Sequence, residues 1–350
     1  GGNVIVRHTP ETGNNATFSN ATEIIPALAG NISETLVPAL SGTYLIKFKD
    51  DSGNLSENAA KIIITQPDPQ PHQVILTERE DTDTPPFQGN KVNTFYDETL
   101  DGLVLQGTTL LDDVADFDNI TNFDFAGHAD ITTGPISSTG SYEFQNLVDL
   151  GAKFNLILKR RFVTFGVLPN DLFDSRTANI DTWTDVDGGT VENVNAKLLV
   201  STTDDDPSSG SASFTQFNVF ANGEYSARGF KFKCEMTSDD PAQNINVSEL
   251  GFEASVKRRT ETVNTAIASG TSAKTVVFSH PFFTGTASLG GSTTAFLPTI
   301  GITLEGAVTG DYFKITSVTG TQFVIEVRDS SNNFKNLNFK YTAVGFGRGS

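Results

Sequence analysis

Cysteine occurs once among 350 residues, as Cys234, and methionine once, as Met236. A lone cysteine excludes a disulfide within the chain and any cysteine-based zinc site, so packing alone must hold the fold together outside a cell. Basic residues are scarce as well. The 24 Lys and Arg stand against 42 Asp and Glu, a formal charge of −18 at pH 7. A surface of that sign repels phosphate backbones and anionic lipid, which argues against nucleic acid as a partner. No apolar run approaches the ~18 residues of a membrane-spanning helix.

The markers of common catalytic chemistries are missing too. The four histidines, His8, His72, His128 and His280, show no paired metal-binding spacing, and zinc enzymes need three or four clustered ligands. No Gly-x-Ser-x-Gly elbow occurs, and Cys234 lies in an apolar strand pattern rather than beside an activating base. No catalytic residue is therefore assigned, and the chain reads as a non-enzyme. With Gly1 first and one internal methionine, it also reads as part of a longer polypeptide.

What the chain has in quantity is glycine (31) and phenylalanine (27), with charged residues at 19% and a surplus of Thr, Ser and Asn. Phe and β-branched residues suit a half-buried pleated surface, and Asn, Asp, Gly and Ser supply the turns between short strands. Phe230, Phe232, Cys234 and Met236 alternate with Lys231, Lys233, Glu235 and Thr237. The same alternation runs through Leu250, Phe252, Ala254 and Val256, and through Phe154, Leu156 and Leu158. A period of two means one buried and one wet face, the pattern of antiparallel sheets in a sandwich.

Three blocks are expected. Residues 1–66 contain strands around Val4-Ile5-Val6, residues 42–48 and residues 61–64, with Asp50-Asp51-Ser52-Gly53-Asn54 as a hairpin turn. Alternating prolines make residues 67–71 a stiff linker. Residues 72–257 form a central β-sandwich with long acidic loops, and residues 258–350 a second, smaller sandwich of at least five strands. The fold class is all-β, in tandem antiparallel sandwiches.

The order of phrases resembles a known family. Residues 41–47 with Asp51-Ser52-Gly53-Asn54-Leu55-Ser56 are similar to the second half of a fibronectin type III module, whose opening strands are then expected upstream of Gly1. Together with Gly140-Ser141-Tyr142-Glu143-Phe144, Val148-Asp149-Leu150-Gly151 and Gly223-Glu224-Tyr225-Ser226-Ala227-Arg228, they resemble the tail-tip host specificity proteins of long-tailed phages, the lambda J type. The third block, through Pro298-Thr299-Ile300, Gly310-Asp311-Tyr312-Phe313, the turn at residues 318–323 and Tyr341-Thr342-Ala343-Val344-Gly345, is also similar to H-type lectins, although Tyr341 stands where Trp is usual there. The resemblance implies a partial fibronectin type III-like module, a central jelly-roll-like sandwich and a lectin-like terminal domain. It further implies a homotrimer at the distal end of a virion tail, attached to other tail-tip proteins through upstream segments. The partner would be a bacterial surface glycan or outer-membrane protein. A depolymerase that degrades surface polysaccharide and a secreted bacterial lectin or adhesin are the alternatives.

Two sets of candidate site residues follow. Asp112, Asp116 and Asp118 lie alternately on one acidic stretch, where carboxylates could converge on a structural calcium ion; a solvated acidic loop is the other reading, and no other cofactor is expected. Phe282, Phe283, Thr293, Phe296, Asn332 and Asn333 fall in segments that combine aromatics with small and amide residues, suited to stacking on a receptor and hydrogen-bonding it. The alternative is that the phenylalanines fold inward and that the loop at residues 204–211 does the recognising.

Overall fold

Apolar and polar residues alternate along most of the chain, and the backbone follows that alternation into strands. The structure, a computed structural model, describes residues 2–38, 40–65, 72–110, 132–168, 191–285 and 296–347. Among them, helix is limited to two single 3-10 turns, and the fold is an all-β, sandwich-type one of antiparallel sheets.

The N-terminal unit is one sheet of β1 (Asn3–Thr9), β2 (Thr22–Glu23), β3 (Leu28–Ala29), β4 (Gly42–Lys49) and β5 (Ala60–Ile64), with β2 and β3 beside β1 and the order continuing β1-β4-β5. The β4–β5 turn is set by Asp50, whose carboxylate accepts the Ser52 N–H at 2.8 Å and the Asn54 N–H at 2.9 Å. Tyr44 fastens the preceding crossover: its hydroxyl accepts the Leu40 N–H at 2.7 Å and donates to the Pro38 carbonyl. This is the tyrosine-corner device of Greek-key sandwiches. Val6 and Tyr44 are covered on their face by Ile24 and Leu40, but farther along the same face Phe48 and Ile62 stay 49% and 51% exposed.

The central unit comprises β6 (His72–Arg79), β7 (Asn90–Val92), β8 (Thr94–Asp97), β9 (Gly102–Leu105), β10 (Gly107–Leu110), β11 (Thr132–Ile136), β12 (Thr139–Glu143), β13 (Val148–Val167), β14 (Val194–Thr203), β15 (Asn218–Val219), β16 (Gly223–Ser238) and β17 (Asn244–Thr262). The main path runs β15-β14-β16-β13-β17, with β12 on β16 and with β6 and β9 on the outer edge of β17. The alternating residues of β13, β16 and β17 all enter one core, where Phe232 and Phe252 stack with ring centroids 4.0 Å apart. Cys234 is buried there, and burial pushes its thiol pKa up. The cysteine is a packing residue.

β17 does not stop at the boundary expected after residue 257. Its last turn of sequence, Arg258–Thr262, pairs with the final strand, so one 19-residue strand belongs to both sandwiches. The terminal unit adds β18 (Ile267–Ala268), β19 (Lys274–Val277), β20 (Thr299–Glu305), β21 (Tyr312–Val318), β22 (Gln322–Arg328) and β23 (Asn338–Phe346). β23 lies between β20 on one side and β17 with β18 on the other, and β19-β22-β21 forms the opposing sheet. Phe323, Ile325 and Val327 from one sheet meet Phe339, Tyr341 and Ala343 from the other.

The N-terminal sheet docks on the central unit through polar contacts. Arg7 is 4% exposed; its guanidinium donates to the carbonyls of Val194 at 2.7 Å, Phe18 at 3.1 Å and Glu192 at 3.3 Å and lies 4.4 Å from the Phe18 ring centre. Lys47 pairs with Glu192 at 2.5 Å. Arg160 of β13 meets His8 Nδ1 at 2.7 Å while His8 Nε2 lies 3.0 Å from the Ser41 carbonyl. Burial, reinforced by the Arg160 charge, holds His8 down to about 3, so its ring is neutral: Nε2–H donates to Ser41 and Nδ1 accepts from Arg160.

Two predictions follow. Arg7→Ala strands three carbonyl acceptors and should loosen the docked sheet by about 2–4 kcal/mol; limited proteolysis should then cut residues 60–75 faster while the central unit stays resistant, and an unchanged cleavage rate would contradict the docking role. Glu80, fully buried, accepts a hydrogen bond from Tyr142, whose oxygen in turn accepts the Gly89 N–H at 2.7 Å. Burial outweighs that bond and pushes the Glu80 carboxyl up to about 7. The folded state thus binds this proton more tightly than the unfolded chain. Its contribution is complete below the unfolded value of about 4.3 and is lost as pH rises to about 7. Glu80→Gln should remove a loss on the order of 3–4 kcal/mol over that window, read as a flatter profile of denaturant stability against pH; parallel profiles would rule the effect out.

Candidate functional site at the distal tip

Strand direction decides which loops of the terminal sandwich lie far from the central unit. β17 runs outward from the central core, and β20 and β22 run parallel to it in sequence sense while β19, β21 and β23 return. The connections after β18, β20 and β22 therefore gather at the outer end, and the turn at residues 319–321 lies at the inner end. Asn332 and Asn333 belong to the outer group. Phe282, Phe283 and Phe296 belong to the inner one, so the candidate residues do not form one site.

The inner group is a correction to the exposed aromatics expected there. Phe282 and Phe283 are 2% and 1% exposed. Consecutive residues of an extended backbone point in opposite directions, and here the two rings enter different cores. Phe282 packs in the terminal core, with Phe278 at 5.0 Å and the Arg259 guanidinium 3.8 Å from its ring centre. Phe283 packs in the central core, 5.5 Å edge-on to Phe154, and Phe296 is partly buried against it at 5.9 Å. Gly345 makes room: a Cβ there would sit 2.6 Å from the Phe282 ring. Thr293, Asp112, Asp116 and Asp118 lie outside the described residues, as does the proline linker.

The outer group is a rigid turn flanked by exposed rings. The Asp329 carboxylate accepts the N–H groups of Ser331 and Asn333, each at 2.9 Å, and Asn332 takes the left-handed conformation at φ 66°. Hydrogen bonds from the Asn333 backbone and then Ser331 hold the Asp329 carboxyl below its ordinary range. Tyr312 donates its hydroxyl proton to Asn332 Oδ1 at 2.6 Å, and Arg328 Nη1 donates to the Asn332 carbonyl at 2.7 Å. Arg328 also lies 4.1 Å from the Phe334 ring centre and bonds Glu326 through Nε at 2.9 Å. Beside them Lys335 pairs with Asp311 at 2.7 Å, which depresses the Asp311 carboxyl. Tyr312 and Phe334 remain 41% and 37% exposed.

Tyr312 and Phe334 are the tip residues that the sequence reading passed over. The signal for the first is the adjacent pair Tyr312-Phe313 at a strand start, because neighbouring aromatics in a strand point to opposite faces; here both stay partly exposed, Phe313 at 40%.

The contrast between the ends is measurable by denaturant unfolding. Phe283→Ala removes a ring shared by the central core and its neighbours and should cost about 3–5 kcal/mol. Asn332→Ala should cost about 1 kcal/mol for its left-handed backbone, and Asn332→Gly nearly nothing. A cost for Phe283→Ala below that of Asn332→Ala would contradict the burial.

No family model, no curated protein and no solved structure matches this chain.

Proposed function

We propose that this chain is a non-enzymatic adhesion protein of the phage tail-tip, host specificity type that its sequence resembles, and that it recognises the bacterial surface with the distal tip of its terminal sandwich. In this reading it acts as a homotrimer at the end of a virion tail and joins other tail proteins through its N-terminal side. The observation that carries the reading is the exposed pair Tyr312 and Phe334 around a turn locked by Asp329 and Arg328. Exposed rings on a rigid support lose little entropy when a partner covers them. They sit on the unit that packs beside Phe154, while the N-terminal sheet docks farther along β13, from Arg160 to Gly166, and on Val194.

Adsorption tests the proposal. The purified chain should compete with intact phage for host cells, and Tyr312→Ala or Phe334→Ala should weaken that competition at least tenfold, about 1.4 kcal/mol, without a change in thermal stability. Undiminished competition by both variants would move recognition away from the tip. Incubation with host capsule or lipopolysaccharide separates adhesion from depolymerase action: multi-turnover release of reducing ends overturns the non-enzymatic reading.

A further inference from the structure

The tip also carries information about the class of its ligand, and the inference drawn from it rests on the adhesion reading above. Tyr312 is directly opposite Arg328 in the β21–β22 register, and Arg328 is bridged to Phe334. Directly paired residues of antiparallel strands share a face. Val327, next to Arg328, is 1% exposed and points into the core, so Tyr312, Arg328 and Phe334 form an outward row. Two inter-strand steps of ~5 Å separate the rings by about 10 Å, with the guanidinium between them.

We infer that this row is a binding platform for an uncharged saccharide. The charges around it balance: Arg328 pairs with Glu326 and Lys335 with Asp311, while Asp329 is held by its own turn and Lys314 stands opposite Glu326 in register, three cations against three carboxylates. That balance favours neither sign of ligand, and the chain's overall −18 opposes an anionic one. What the row offers instead are two partly exposed rings, Phe334 with the Arg328 guanidinium 4.1 Å from its centre, and hydrogen-bonding groups at fixed positions. Arg328 uses Nε and one hydrogen on each Nη for Glu326 and Asn332, which leaves a second hydrogen on each Nη. A sugar ring presents C–H faces for the aromatics and hydroxyl oxygens for those N–H groups. A stable protein partner would cover roughly 800 Å² per side; the row is a narrow line of two rings and one guanidinium.

Saturation-transfer NMR on the full chain tests this, with a mixture of gluco- and galacto-oligosaccharides as the neutral probe and polygalacturonate as the acidic one. The expected result is transfer to the neutral probe that falls at least tenfold in apparent affinity in Tyr312→Ala and Phe334→Ala, and is largely kept in Tyr312→Phe, all with unchanged melting temperature. Binding of polygalacturonate alone overturns the inference. Absence of transfer to either probe, combined with lost cell adsorption in the same variants, overturns the saccharide class and leaves the adhesion reading standing. Unchanged saccharide binding and unchanged adsorption in the variants overturn both.

Discussion

The rest of the molecule depends on how the two sandwiches are joined. Phe282 and Phe283 are neighbours in sequence, yet each fills a different core, while β17 threads both sandwiches without a break. A strand alone could bend or twist between units. The split phenylalanine pair removes that freedom, since any rotation about β17 would withdraw one ring from its core at a cost of several kcal/mol. Phe346 closes the same seam through its bridge to Phe283, and Gly347 donates to the Lys257 carbonyl at 2.9 Å. The tip is thereby held at a fixed orientation to the central unit.

The other junction is built differently. Between the N-terminal sheet and the central unit, the contacts are a buried guanidinium on carbonyls, the Lys47–Glu192 pair and the His8–Arg160 bond. Polar contacts of this kind specify one geometry, because a misdocked sheet would leave buried charges without partners. They contribute less cohesion than an apolar seam. The N-terminal sheet also keeps Phe48, Ile62 and the 94% exposed Leu36 uncovered, so its own hydrophobic gain is incomplete. The molecule is thus stiff toward the tip and conditionally held toward the N-terminal side.

What was legible in the sequence was local. Alternation in β13, β16 and β17 identified their buried faces, because a strand's side chains obey a period of two wherever one face meets a core. The Asp50 turn was legible from residue types. The turn at Asp329 uses the same chemistry, with Asn332 in the left-handed position that Gly53 holds in the first. What was not legible was non-local. The His280-Pro281-Phe282-Phe283 stretch looks like an exposed loop until Gly345, over sixty positions away, supplies the space that Phe282 occupies. At the boundary expected after Lys257 the strand changes partner, with Lys257 opposite His72 and Arg258 opposite Phe346; what residue types did not show was that β17 runs on through it and that Arg259 turns inward to lie on the Phe282 ring. Tyr312 and Phe334 become neighbours only through the β21–β22 register and the bridge at Arg328.

A platform of two rings and one guanidinium binds weakly by itself. Stacking contributes on the order of 1 kcal/mol per ring, and a few hydrogen bonds from a solvated surface add little more. In the proposed adhesion reading, that places a single tip at millimolar affinity or weaker, too weak to retain a particle on a cell. Linked copies change the arithmetic, because each further contact forms at a high effective concentration and avidity can exceed single-site affinity by 10²–10⁴. The gain is realised only if the tips can reach neighbouring receptors together, and a fixed orientation between tip and central unit meets that condition where a hinge would spend part of the gain on ordering. The seam at Phe282 and Phe283 and the proposed trimer therefore belong to one argument: weak sites become adhesive when they are held rigidly in register.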